Sequence, residues 1–367
     1  MIPTIMQDQL QPLCGSYDTE DCLFLLSQIE AKYTDVATKE KLIQSGQKHY
    51  SEMISFESAP TDQYTQLFQE LTSRYKSRLA SEILGLAQLI NTQHSGVVTI
   101  VSLARAGTPF GALLNRALKE IYHADSVHYS ISIIRDRGID QNALKYILRQ
   151  AKRPASSLIF ADTWTAKGVI THELKTAIAQ WNQSEVEQLK DHLYVVSDIG
   201  GTADYAATYD DYAIPSGVMN ATVSGLMSRS ILNEQIAADA FHGSVYYEHL
   251  QEHDLSNWFL NEITEQFGLV KPASRPGVDR DRRYQQSQQW IQQWLEEFQI
   301  NDVNHIKPGV AEATRVMLRR VPACLILKDK DDPDVAHLLL LAQEKSVPVL
   351  SREQMPFKAV AFIKALY

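Results

Sequence analysis

The chain has 367 residues, 44 % of them hydrophobic, and a formal net charge of −9. That length allows two or three domains with ample core, and the acidic balance argues against a protein that coats nucleic acid over its whole surface. Three cysteines, Cys14, Cys22 and Cys324, cannot close a disulfide framework, no Cys-x-x-Cys pair suggests zinc, and no apolar run reaches membrane-spanning length.

The first ten residues, MIPTIMQDQL, lack a basic region followed by a long apolar stretch, which reads as a cytoplasmic chain. Residues 1–95 are expected to be largely helical: the run Asp21-Cys22-Leu23-Phe24-Leu25-Leu26 opens one helix, and residues 64–90 repeat apolar side chains every three or four positions. From Gly96 the pattern changes. Residues 97–101 read as a strand and 111–120 as a helix, followed by strand at 128–134, helix at 141–150, strand at 158–161, helix at 171–180 and strand at 193–196. Such alternation predicts an α/β fold with a parallel sheet and covering helices, in which ligands sit at the carboxyl ends of the strands.

The turns after these strands therefore hold the candidate chemistry. Ser102-Leu103-Ala104-Arg105-Ala106-Gly107-Thr108-Pro109 sets an arginine and a glycine where backbone N–H groups can face an anion, or forms a plain strand-to-helix connection with proline near the helix start. Arg135-Asp136-Arg137-Gly138 is either a solvated loop or a lid over a polyphosphate. After residues 158–161, Asp162 offers a carboxylate to a sugar or to hydrated magnesium, and Thr163, Thr165, Lys167 and Gly168 offer groups for a terminal phosphate at the next helix. Residues 214–225 are rich in small hydroxyl side chains, and Ser216 and Asn220, with Arg229 beyond, are assigned to an acceptor.

Together these turns resemble the type I phosphoribosyltransferases, with one acidic residue, Asp162, where those enzymes usually have two. The segments GSYDTEDCLFLL, HYSEMISFESAP, VSLARAGTPFGALL, HYSISIIRDRGID, IPSGVMNATVSGLMSRSILN and FHGSVYY resemble a narrower bacterial phosphoribosyltransferase-like family, often labelled cysteine protease StiP and found with tellurium-resistance and stress operons. The resemblance spans residues 14–265. It implies magnesium-assisted transfer of ribose 5-phosphate from phosphoribosyl pyrophosphate to a nitrogenous acceptor. Arg105 with Ala106 and Gly107 would hold pyrophosphate, Arg137 would close over it, and Asp162 would act at the sugar and, with water, on magnesium. A non-catalytic sensor of the same ligand that regulates RNA is the alternative, and a cysteine protease the third reading. For proteolysis no cysteine has a recognisable local signature: Cys22 lies in an apolar run, and Cys324 in the core-like stretch Ala323-Cys324-Leu325-Ile326-Leu327.

Residues 270–283, VKPASRPGVDRDRR, read as a linker, and Trp290, Ile291, Trp294, Leu295 and Phe298 recur on one helical face that packs on something. The division expected is 1–269, 270–303 and 304–367. The last part carries a balance of +3 and reads as a small α/β/α unit with helices at 310–320 and 335–345 and strands at 324–327 and 347–350. It resembles the pelota and kink-turn-binding domains, with Lys307, Gly309, Glu312 and Arg315 on their pattern and Ala311 in place of the usual asparagine. That resemblance implies structured RNA as a partner of a unit that folds on its own, with Lys307, Arg315, Arg319 and Arg320 clustered in sequence for phosphate contact.

Overall fold

The computed structural model describes residues 11–94 and 96–365. The reading of residues 1–10 lies outside them, and no described helix is long and apolar enough to cross a membrane.

The alternation from Gly96 onward builds a parallel sheet. Its strands are β1 (Leu23–Leu25), β2 (Val97–Ala104), β3 (Asp125–Ile134), β4 (Leu158–Thr165), β5 (Leu193–Asp198) and β6 (Tyr205–Thr208), in the order β1-β3-β2-β4-β5-β6. Every neighbouring pair on this path is parallel, and a short antiparallel piece at Gly138–Ile139 joins β3. Helices cover both faces. Phe68, Ile83 and Leu86 of α1 (Asp62–Gln93) and Leu114 of α2 (Thr108–Glu120) meet Val98, Ile100 and Ile159 on one side. Leu174, Ile178 and Trp181 of α3 (Val169–Ser184) meet Leu103, Ile131 and Phe160 on the other.

Residues 306–363 form a second, four-stranded sheet. Its strands are β7 (Ile306–Pro308), β8 (Pro322–Leu327), β9 (Val349–Ser351) and β10 (Ala359–Ile363), in the order β7-β10-β8-β9. Trp294 and Ile291 of α4 (Arg280–Glu297) pack against Ile326, Phe357 and Phe362 on one face, which is the partner that the aromatic periodicity required. Helices α5 (Val310–Arg319) and α6 (Ala336–Glu344) lie on the other face, where Val310, Val316, Met317 and Leu338 join the same apolar cluster as Phe68 and Ile83. The two sheets thus share a continuous core. Asp211 fastens them, accepting from Val310 N at 2.8 Å and from Lys358 N at 2.7 Å. Residues 270–283 are pinned alongside: Ala273 N donates to Ser81 O at 2.8 Å, and Arg283 donates to the carbonyls of Ile199 and Tyr209.

The α/β class is as the sequence predicts, and several elements differ. The run at 21–26 is no helix, because Leu23–Leu25 pairs along β3 with Phe24 and Leu25 buried. A short strand covered on both sides has no alternation to set it apart from a buried helical turn. Strand β4 does not stop at Ala161. Pairing of Asp162 with Val195, Trp164 with Ser197 and Thr165 with Asp198 carries the sheet through the polar residues expected to form a loop. Strands β6, β7 and β10 have no counterpart in the reading, and residues 214–225 hold only short turns at Pro215–Val218 and Ala221–Val223.

Candidate functional site

The carboxyl ends of β2 and β4 face α5 across a cavity of about 1150 Å³. Its wall includes Arg105, Asp162, Trp164, Thr165, Lys167 and Gly168 from the first domain and Lys307, Glu312, Arg315 and Arg319 from the second. Residues assigned separately to a sugar phosphate and to RNA therefore line one space.

Asp162 sits at its floor, 9 % exposed, with Oδ1 accepting from Thr163 N at 2.7 Å. Burial pushes its carboxyl up to about 7, against the pull of Arg315. Above it, Trp164 Nε1 donates to Glu312 Oε1 at 3.3 Å, and the Arg315 guanidinium lies 4.5 Å from the Trp164 ring centroid. Glu312 also pairs with Lys307 at 3.6 Å and Arg315 at 3.3 Å. Burial alone would raise the Glu312 carboxyl, but Lys307 and Arg315 outweigh it and hold it at about 2. Lys167 donates to Val303 O at 2.6 Å, and burial with nearby Lys307 brings its ammonium down to about 7.

The other predicted residues divide. Thr163 donates to Ala106 O at 2.7 Å and Thr165 bonds Thr202 at 2.8 Å, so both hydroxyls serve the protein itself. Gly107 has no Cβ because one would stand 2.7 Å from Ala161 O, which ties this glycine to the close approach of α2 to β4. Gly309, at φ +94°, abuts Ile199 across the domain boundary, where a Cβ would meet Ile199 Cδ1 at 2.4 Å. Arg137 pairs with Glu52 at 2.7 Å, and neither it nor Ser216 is among the described residues lining the cavity. Asn220 and Arg229 do line it. As for magnesium, no group of three or more His, Cys, Asp and Glu among the described residues is placed to hold an ion. A single buried carboxyl near neutrality, whose neighbouring carboxylate Glu312 is taken by Lys307 and Arg315, does not fit that metal as protein-held.

Of the cysteines, Cys22 is buried and burial pushes its thiol well up, while Cys14 is half-buried away from the cavity. Cys324 was expected inside a core strand. It stands near the start of β8, half-buried, on the cavity wall, with its thiol pushed up to about 11 by burial. His305 lines the same cavity, its Nε2 lies 4.0 Å from Asp302 Oδ2, and burial lowers its pKa so that the ring stays neutral at pH 7. Cys324 and Ile306, the neighbour of His305, both pair with Phe362 from opposite sides. That places two strand spacings, roughly 10 Å, between their backbones. Arg320 lines the cavity beside Arg319, and Lys39, Glu40, Glu57 and Tyr247 line it where the sequence offered no sign of them. Those four come from segments remote from the strand-end turns, and no spacing marks them.

The pattern of the family described as "Tellurite-like stress resistance cysteine protease StiP" matches residues 15–264, and that of the PELOTA RNA binding domain matches residues 285–365. A curated protein of Acinetobacter baylyi, "Cysteine protease StiP", is 40 % identical over 370 residues, covering 97 % of this chain and 95 % of its own. Solved phosphoribosyltransferase structures are far weaker likenesses. An aspartate-to-alanine HPRT mutant has 13 % identity and a TM-score of 0.27 over 36 % of this chain and 77 % of its own, and a Trypanosoma cruzi hypoxanthine phosphoribosyltransferase mutant with the product IMP has 11 % and 0.28 over 50 % and 87 %. The expectation of phosphoribosyl transfer, with its sensor alternative, is overturned by the first two findings. Both the family and the near full-length relative carry the name of a cysteine protease, and the transferase likenesses are too low to argue from.

Proposed function

The chain belongs to the StiP family, and from that membership we propose that it is an enzyme, working by a cysteine thiol on a peptide bond held between its two domains. One observation carries the reading: Cys324 is the only one of the three cysteines that lines the interdomain cavity. A thiol held near 11 attacks only when a base takes its proton. His305, neutral and beside Asp302, is the imidazole on the same wall, and the strand spacing calls for a bridging water or a closing movement to connect it to Cys324. In that step the Sγ–carbonyl carbon bond forms, the peptide C–N bond breaks, and the proton passes through the base to the departing amine. Three unpaired cysteines support a cytoplasmic setting.

The test is peptide hydrolysis by the full chain, compared with Cys324→Ala and Cys14→Ala, with the cleaved bond identified by mass spectrometry. Loss of cleavage in Cys324→Ala alone supports the reading. Equal cleavage by Cys324→Ala and the parent, or loss only in Cys14→Ala, rejects it.

A further inference from the structure

On the cavity lining positive charge accumulates without balance. Lys39, Arg105, Arg229, Arg319 and Arg320 come from four separate stretches of the chain and line the cavity together, and among the described residues the carboxylates paired with them are Glu40 and Glu57. Glu40 is taken by Arg320 at 2.7 Å, and Glu57 by Arg105 at 2.9 Å and by Ala221 N at 2.7 Å. The remaining three cations have no carboxylate within ion-pair distance among the described residues. Arg319 donates to the amide oxygen of Asn220, Arg229 to the carbonyls of Tyr50 and Met53, and the Lys39 ammonium, in a residue only 6 % exposed, has no hydrogen-bond partner among the described residues. Arg229 Nη1 and Arg105 Nε are buried with no acceptor among the described residues.

Unpaired buried cations are costly, and their mutual repulsion is visible: burial first, and then Arg229, Arg320 and Arg319, lower the Lys39 ammonium to about 8. Such a cluster is stable at low cost only with an anion among its donors. A carboxylate brings one charge, and the surplus is three, so a compact dianion with several acceptor oxygens matches best. We propose that Lys39, Arg105, Arg229 and Arg319 form a binding site for phosphate or a phosphate monoester, with Arg319 supplied by the C-terminal domain so that the ligand bridges the two domains. The site does not depend on Cys324 or on the proposed hydrolysis.

The experiment uses the full chain, with sodium phosphate and glycerol 3-phosphate titrated by calorimetry and thermal shift against sodium chloride at equal ionic strength. Both probes are expected to bind, and to raise the unfolding temperature beyond the chloride control. A tenfold preference for one of them tells free phosphate from an ester. Arg319→Met and Lys39→Met should each weaken binding at least tenfold while the ligand-free protein unfolds no lower than the parent, since each removes an uncompensated charge. If either variant does not fold, Arg319→Gln and Lys39→Gln take its place, and the parent titrations stand alone. Phosphate and its ester no better than chloride, or variants that bind like the parent, would overturn the site. Cys324→Ala should bind phosphate unchanged, so failure of the hydrolysis reading leaves this result intact.

Discussion

The Arg315 guanidinium lies 4.5 Å from the ring centroid of Trp164, so a side chain on the RNA-recognition pattern of the second domain rests on a strand end of the first. Lys307, Glu312 and Arg319 share that inward orientation on the cavity wall. The pelota-type face is turned toward the protein's own site.

RNA binding follows from this orientation. At 150 mM salt the full chain is expected to retard a structured RNA no better than its Arg315→Glu variant does, because phosphate contacts need cations that RNA can reach. A tenfold loss on charge reversal in a gel-shift titration would show that the face is open after all.

Asp162 sets a pH dependence of stability. Its folded carboxyl is raised to about 7 from an unfolded value near 3.8, so between those values the folded state holds a proton that the unfolded state has released. Stability therefore falls as pH rises from about 4 to 7 and levels off above. Asp162→Asn lacks this loss and should exceed the parent in urea unfolding at pH 8 by about 2–4 kcal/mol, at roughly 1.4 kcal/mol per unit as an upper limit, with little difference at pH 4. Equal curves at pH 8 would mean that the carboxylate is compensated in place.

The cysteines should separate by reactivity. Iodoacetamide should label Cys324 slowly at pH 7, about tenfold faster per pH unit until the thiol ionises near 11, and leave Cys22 unlabelled in the native state. Peptide mapping at three pH values reads this directly. Fast labelling of Cys324 at pH 7 would show a thiolate partner within reach.

The C-terminal domain should not stand alone. A fragment of residues 302–367 would expose Val310, Val316, Met317 and Leu338, which pack in one cluster with Phe68 and Ile83. Its amide spectrum is expected to lack the dispersion of a folded domain, contrary to the autonomy that its sequence suggests. A well-dispersed spectrum would refute this.

Asp211 offers a finer probe of the same union. Asp211→Ala leaves the backbone N–H groups of Val310 and Lys358 without acceptors and should lower unfolding stability by about 2–4 kcal/mol, from roughly 1–3 kcal/mol for each buried donor. A change below about 0.5 kcal/mol would show that the two groups find water.

The sheet was legible where the signal was periodic. The strands at 97–101 and 193–196 and the helical stretch at 64–90 announce themselves by apolar spacing and lie within β2, β5 and α1, and Trp290 and Trp294 foretold a packing partner that exists. What failed was the inference from a polar residue to a loop. Asp162 and Thr163 are polar yet lie inside β4, because the Asp162 carboxylate accepts from the Thr163 N–H beside it and the Thr163 hydroxyl donates to Ala106 O, remote in sequence. The site was half visible for the same reason. Arg105, Asp162, Lys167 and Arg229 stand where turns would be searched, whereas Lys39 and Glu57 join them only through folding, and Cys324 looked like core until β8 was seen to begin at the cavity.

Strand β10 is formed by the last described stretch of regular structure, Ala359–Ile363, yet it lies in the interior of its sheet, hydrogen-bonded to β7 on one side and β8 on the other. While the chain is being translated, β7 and β8 therefore have no partner between them until Ile363 has left the ribosome. The roof that carries Arg315, Arg319 and Cys324 cannot settle over the cavity before that moment. Covering of the cleft therefore waits on the strand that this sheet receives last.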